Sequence, residues 1–283
     1  MKIVIKFAGA LLEDRELVKG LAKRVATLAQ HGHHILVVHG GGRLFTETLK
    51  RLGIESKFVS GLRVTDRETR DAAVMVFAGL LNKRLAAAIS AEGFPAIGIS
   101  AADAHFFTAA PLVHNDVEGG LGFVGYLTSV NNSALESLWR EKLLPVAACL
   151  GLGADGELYN INADHMAAAC AEFIGADHLV YLTDVAGVLD GDRVISAISC
   201  DQVNSLIGSR VVSGGMILKL EAAKRALEGG VSQVRIVGGD SAAAALSPDF
   251  FATAADTTVI SALPGTRVVR DAFFRDNAYV ATI

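Results

Sequence analysis

The 283-residue chain carries only three cysteines, Cys149, Cys170 and Cys200, widely spaced and set among apolar neighbours. So odd and scattered a set excludes a disulfide framework and a zinc cluster, and it predicts reduced core residues. Long hydrophobic runs are lacking too. The longest, such as Leu143–Leu150, fall well short of the ~20 apolar residues a membrane-spanning helix needs, so no membrane partner is expected. Neither sign of charge dominates: 26 Lys and Arg stand against 30 Asp and Glu, a net charge of −4. The charges are interleaved and no basic stripe appears, which argues against nucleic acid as a partner. The opening Met1-Lys-Ile-Val-Ile-Lys6 enters a strand-like alternation without a secretory apolar region, so the expected location is cytoplasmic. There is no low-complexity linker, no short-period repeat and no G-x-x-x-x-G-K-[ST] loop. Phosphate binding would have to use another design.

What the chain does have is an alternation of two patterns. Short β-branched runs occur at 3–5, 35–38, 96–99, 144–148, 178–182 and 234–237. Between them lie amphipathic stretches near 14–31, 43–52, 66–92, 133–141, 164–175 and 215–229, with apolar residues three and four apart. Repeated β-α-β of this kind predicts an α/β fold with a mostly parallel sheet covered by helices on both faces. The segment Thr108 to Thr128, with "GGLGFVGYLTSV", breaks the pattern and reads as an antiparallel hairpin insert. A soft boundary near residue 175 separates an N-terminal lobe, 1–175, from a C-terminal lobe, 176–283.

"HGGG", His39 to Gly42, falls between a buried strand and a helix. The first N–H groups of a helix lack intrahelical partners, so an anion placed there gains hydrogen bonds and a favourable dipole. Gly41 and Gly42 therefore read as an anion cradle, set against the plainer reading of a tight turn that needs positive φ. A second strand–glycine–helix junction, Lys6-Phe-Ala-Gly9, strengthens the cradle reading, because two such sites suit one ligand with several negative oxygens. Lys6 closes a buried strand, where an idle charge is costly. Gly151-Leu-Gly153-Ala-Asp-Gly156 fits a dinucleotide fingerprint by letter, but strand-like alternation follows it where a helix should start, so it reads as a hairpin turn. In "NINAD", alternation puts Asn160, Asn162 and Asp164 on one side, and Asp164 also stands where it could cap the Ala-rich helix behind it. "LTDVAGVL" is one more strand-end turn. "SGGMILK" opens a helix with Lys219 one turn in. The plain reading of a helical lysine, or of Arg63 in "GLRVTD", is a solvated surface charge.

"KFAGALL", "VVHGGG", "GLRVTD", "GFVGYL", "LYNINADHMAA", "YLTDVAGVLD" and "SGGMILK" jointly resemble the amino acid kinase family, from Lys6 to about Val269 and nearest to its members that phosphorylate N-acetyl-L-glutamate. The resemblance implies a three-layer αβα sandwich, with acylamino acid bound in the N-terminal lobe and ATP in the C-terminal lobe. It implies transfer of the γ-phosphoryl group to the side-chain carboxylate of N-acetyl-L-glutamate, the second step of arginine biosynthesis, with Mg2+ arriving on ATP and no metal ligands from the chain. Lys6 and Lys219 would stabilise the transferring group, and Asp164 would orient both. Gly9, Gly41 and Gly42 would hold the phosphoryl group and acceptor through their amides, and Arg63 would grip the α-carboxylate with support from Asn160. Asp184, Val185, Ala186, Gly187, Val188 and Leu189, with Val211, Val212 and Ser213, would wall the adenine and ribose. With no helix ahead of Lys6, the resemblance is to an arginine-insensitive homodimer. The chain departs from the family at Ala8, which stands where a glycine is usual, and in its last residues, "RDAFFRDNAYVATI", for which only packing or an interface is expected. Two alternatives stay open: a kinase of another N-acyl acidic amino acid, such as an aminoadipate derivative or N-succinylglutamate, and a non-catalytic sensor of nucleotide or acylamino acid.

Overall fold

The computed structural model describes residues 1–113, 120–248, 251 and 264–270. The tip of the 108–128 insert and the sequence after Arg270 lie outside the described residues. In chain order the elements begin β1 (Lys2–Phe7), α1 (Arg15–Gln30), β2 (His34–His39), α2 (Gly42–Arg51), β3 (Phe58–Val59) and β4 (Leu62–Arg63). A long helix follows, starting as α3 (Arg67–Ala73) and ending as α4 (Asn82–Ala91), then β5 (Ala96–Ile99), β6 (Phe107–Pro111), β7 (Val124–Val130) and α5 (Asn132–Arg140). Next come β8 (Leu144–Ala148), β9 (Leu150–Gly153), β10 (Leu158–Ile161), α6 (Ala163–Ile174) and β11 (His178–Thr183). The remainder is β12 (Leu189–Asp190), β13 (Arg193–Val194), β14 (Ala197–Ser199), α7 (Cys200–Gly208), α8 (Gly215–Glu228), β15 (Gln233–Gly238), α9 (Ala242–Ala245) and β16 (Thr266–Val269).

Eight strands form one sheet in the order β14-β16-β15-β11-β1-β2-β8-β5, parallel throughout except where β16 meets β15. This is the expected α/β architecture. Its two faces carry separate apolar cores, as a sheet covered on both sides requires. Ile3, Ile5 and Phe7 of β1 pack with Leu21, Val25 and Leu28 of α1 and with Leu85 and Ile89 of α4. Val4, Val38 and Tyr181 pack on the opposite side with α6 and with Leu220 and Ala223 of α8. Since side chains alternate along a strand, Lys6 shares the face of Val4 and looks toward α6 and α8. All three cysteines are buried and unbridged.

The insert is an antiparallel β6–β7 pair, as expected, but it does not stand alone: β6, β7, β10 and β9 close on one another into a small barrel. The β9–β10 hairpin confirms the turn reading of Gly151–Gly156. Three features differ from the sequence expectations. Helix α7 was not anticipated, although Ser199 and Gln202 form a capping box and Val203, Leu206 and Ile207 recur at helical spacing. The helix over 66–92 is continuous but winds as a π-helix through Val74–Leu81, a change of pitch that hydrophobic periodicity does not register. That helix, Arg67–Ala91, is also long and apolar enough to cross a membrane by length and composition, although no uninterrupted apolar run suggested it. It is packed into this protein through Val76, Phe77, Leu81, Leu85 and Ile89, and its buried Arg70 pairs with Asp71 and Glu157.

Candidate active site

The C-terminal ends of β1 and β2 lie side by side, with Lys6 in register with Val38 and Phe7 with His39. Each strand runs straight into a glycine turn, and the turns touch. A Cβ on Gly9 would overlap the backbone of Gly42, and a Cβ on Gly42 would overlap Gly9. Gly42 moreover has φ +53, a left-handed conformation that suits glycine. Close approach and positive φ thus both require glycine at position 42, while Gly41 has φ −97 and is kept small by its neighbours. Gly41 packs under the Phe77 ring, which leaves no room for a side chain. Ala8, the departure from the usual glycine, has φ −67 and ψ 143, an ordinary extended conformation in which its methyl is harmless.

Beside the two turns a cavity of about 400 Å³ opens, lined by Lys6, Gly9, Gly40 to Gly42, Phe45, Thr46, Phe58, Arg63, Phe77, Asn160 and Asp164, among others. Lys6 from β1 and Lys219 from α8 converge on one atom: each Nζ lies 2.8 Å from Oδ1 of Asp164. All three residues are less than a tenth exposed. Burial works against the carboxylate charge, but Lys6 and Lys219 outweigh it and hold the Asp164 pKa at about 2. Burial and then the neighbouring Lys6 charge pull Lys219 down to about 8. The cluster has two cations and one anion. A buried excess of positive charge is expensive, and it becomes favourable when an anion enters. Tyr181, fully buried, steadies the cluster from below: its hydroxyl donates to the Asp164 backbone carbonyl at 3.1 Å, and its ring lies 5.1 Å from the Lys219 nitrogen.

Asp164 does not cap its helix. Asn162 does so, its side-chain oxygen accepting from the N–H groups of Asp164 and His165. The helix begins at Ala163, one residue ahead of the aspartate, which frees the Asp164 carboxylate for the lysines. Arg63, from β4, is half-buried at the other end of the cavity. Its guanidinium donates to the hydroxyls of Ser56 and Thr46 and lies against the rings of Phe45 and Phe58. Burial lowers its pKa, but arginine stays charged, and among the described residues no carboxylate pairs with it. Asn160 reaches Arg63 indirectly: its amide donates to Thr65 Oγ1, and that hydroxyl donates to the Arg63 carbonyl.

The structure thus gathers Lys6, Gly9, Gly41, Gly42, Arg63, Asn160, Asp164 and Lys219 around one site. The turn 184–189 and residues 211–213 lie outside the cavity lining. Within them Val188 and Val212 are core side chains, whereas Asp184, Ala186, Leu189 and Ser213 are exposed. Sequence reasoning missed Phe45, Thr46, Ser56, Phe58, Phe77 and Tyr181. Only Phe45, on the first turn of the helix after the glycines, left a signal in the local pattern.

Similarity to known proteins agrees with this geometry. An acetylglutamate kinase of Koribacter versatilis (strain Ellin345) is 54% identical over 240 residues, which cover 84% of this chain and 90% of that protein. An acetylglutamate kinase of Acidobacterium capsulatum is 46% identical over 243 residues, covering 86% and 92%. The crystal structure of smu.665 from Streptococcus mutans UA159 superposes with a TM-score of 0.79 at 26% identity, covering 95% of this chain and 99% of that one. The model of the amino acid kinase family matches residues 1–238, which hold both glycine turns, both converging lysines and their shared aspartate; the chain belongs to the amino acid kinase family.

Proposed function

We propose that this chain is an ATP-dependent acetylglutamate kinase, transferring the γ-phosphoryl group of ATP to the side-chain carboxylate of N-acetyl-L-glutamate in arginine biosynthesis. One observation carries the reading: two ammonium groups from distant parts of the chain share a single buried carboxylate oxygen beside a double glycine turn. Attack of a carboxylate on a triphosphate brings anion against anion, and charge on the moving phosphoryl spreads over its equatorial oxygens. The demand is for alignment and fixed positive charge. No general base is required, because the acceptor carboxylate is ionised near neutral pH. Lys6 stabilises the phosphoryl group from the acceptor side and Lys219 from the nucleotide side, while Asp164 fixes the direction of both. The N–H groups of Gly9, Gly41 and Gly42 supply further preorganised donors. Arg63, held by hydroxyls and rings and paired with no carboxylate, is left to take the α-carboxylate in a forked contact, with Asn160 bracing the strand beneath it.

Magnesium enters this scheme on ATP. Among the described residues no three His, Cys, Asp or Glu side chains gather as a metal site, and Asp164, the carboxylate in the cavity lining, is already engaged by both lysines. In this scheme the ion is held by phosphate and water, its usual arrangement with nucleotides. The turn 184–189 with 211–213 forms the adenine and ribose wall through exposed residues and backbone, and the lobe division falls at Gly175, where α6 ends. A cytoplasmic homodimer insensitive to arginine completes the proposal. Met75 and Leu80 on the long helix and Ile97 on the edge strand expose apolar surface that supports association.

A coupled assay with ATP and a panel of N-acyl acidic amino acids tests the substrate. Turnover is expected with N-acetyl-L-glutamate; turnover confined to a longer side chain or another acyl group moves the assignment, and none at all leaves a sensor. Sedimentation, and assay with added arginine, test the assembly and its regulation.

A further inference from the structure

The catalytic reading above relies on the Gly41 N–H facing the cavity, and the hydrogen bonds behind the glycine turn bear on that direction. His39 ends β2 and is fully buried. Its Nδ1 lies 3.3 Å from the Gly40 carbonyl oxygen, and its Nε2 lies 3.1 Å from Nδ2 of Asn82, the equally buried first residue of α4. The same Nδ2 donates to the Val146 carbonyl on β8 at 2.8 Å.

These contacts fix the proton. A backbone carbonyl only accepts, so the Asn82 atom facing Val146 is the amide nitrogen, which has two hydrogens and no acceptor capacity. Whatever else that nitrogen bonds must itself be an acceptor, so His39 Nε2 is bare. The one proton of the neutral imidazole is then on Nδ1, where it donates to Gly40. Burial, which holds the His39 pKa down at about 4, keeps the ring neutral. In a trans peptide the carbonyl and the following N–H point in opposite directions, and no cis bond occurs among the described residues. Tying the Gly40 carbonyl back toward the imidazole therefore turns the Gly41 N–H toward the cavity that Gly40, Gly41 and Gly42 line.

We propose that His39 and Asn82 are positioning residues, a directed hydrogen-bond chain from the amide of Asn82 through His39 to Gly40 that keeps the Gly41 N–H aimed at the transferring phosphoryl group. Neither residue lines the cavity. Asn82 Oδ1 has no hydrogen-bond donor among the described residues. An asparagine kept at that desolvation cost is better explained by what its nitrogen does than by packing. The role rests on the phosphoryl-transfer reading, but the proton location does not.

Long-range 1H–15N spectra of histidine-labelled wild-type protein, with His39→Gln to assign the signal, read the tautomer directly. The expected result is a neutral ring protonated at Nδ1; protonation at Nε2 overturns the proposal. Asn82→Asp replaces the donor with an acceptor at unchanged size and draws the proton to Nε2. Its kcat should fall by roughly 10- to 100-fold, the range for a displaced oxyanion donor, with KM for the acceptor within about twofold. An inverted tautomer with wild-type kcat overturns the role. Wild-type protein that turns over no N-acyl amino acid would refute the kinase reading and leave the tautomer measurement standing, so the two failures are distinguishable.

Discussion

Two strand-end regions of the same sheet handle charge in opposite ways. At the ends of β1 and β2, three ionised side chains are buried together, their positions fixed by shared hydrogen bonds and by glycine turns in backbone contact. At the end of β11, one strand away, Asp184 is exposed and accepts from the neighbouring Thr183 hydroxyl, and the turn is held by Gly187 and Val188 against Thr266. The first region stores electrostatic energy ahead of binding, as stabilising a transient charge demands. The second supplies shape. On the function proposed, a phosphoryl group in transit has to be met by donors already in place, whereas a nucleoside can be held by surface contacts formed as it binds.

The strongest challenge to that contrast is a paired substitution. Asp164→Asn leaves two buried ammonium groups without their anion and should cost on the order of 3 kcal/mol of folding stability, together with most of the activity. Asp184→Asn should stay within about 0.5 kcal/mol. Equal denaturation midpoints for the two variants would erase the distinction. Lys219→Ala should lower kcat by about 10²-fold or more, the size of a single electrostatic deletion, and wild-type kcat/KM should decline as pH rises through about 8, where Lys219 loses its proton. The sign follows from the cation being the active form; a rate that climbs through the same range contradicts the role. Arg63→Ala should raise KM for the acceptor roughly 10- to 100-fold, the worth of a lost charged hydrogen-bond pair, with kcat little changed. Steady-state kinetics at saturating ATP separate the two constants. Val188→Ala should lower stability by about 2 kcal/mol and leave KM for ATP alone, since Val188 is core. A raised KM at full stability would make it part of the nucleotide wall and blur the contrast.

Much of this arrangement was legible before folding. Strand and helix positions followed hydrophobic period, and alternation in β1 already set Lys6 opposite Ile3, Ile5 and Phe7. The need for glycine at 9, 41 and 42 was readable as a turn, but not as two turns in mutual contact. The role of Asp164 was only half readable, since an N-cap and the second residue of a helix lie two positions apart, a shift that local pattern does not resolve. The π-helical winding and the closure of the small barrel left no mark in periodicity, and neither did the Asn82–His39 contact across 43 residues of chain.

The sequence by itself determined the layers and the order of elements, because burial and backbone conformation are written in local periods of two and 3.6. Which residues meet was decided only by tertiary structure. Lys6, Asp164 and Lys219 come together because three separate elements pack on one face of one sheet, and the distance between side chains on different elements depends on packing that no local period encodes.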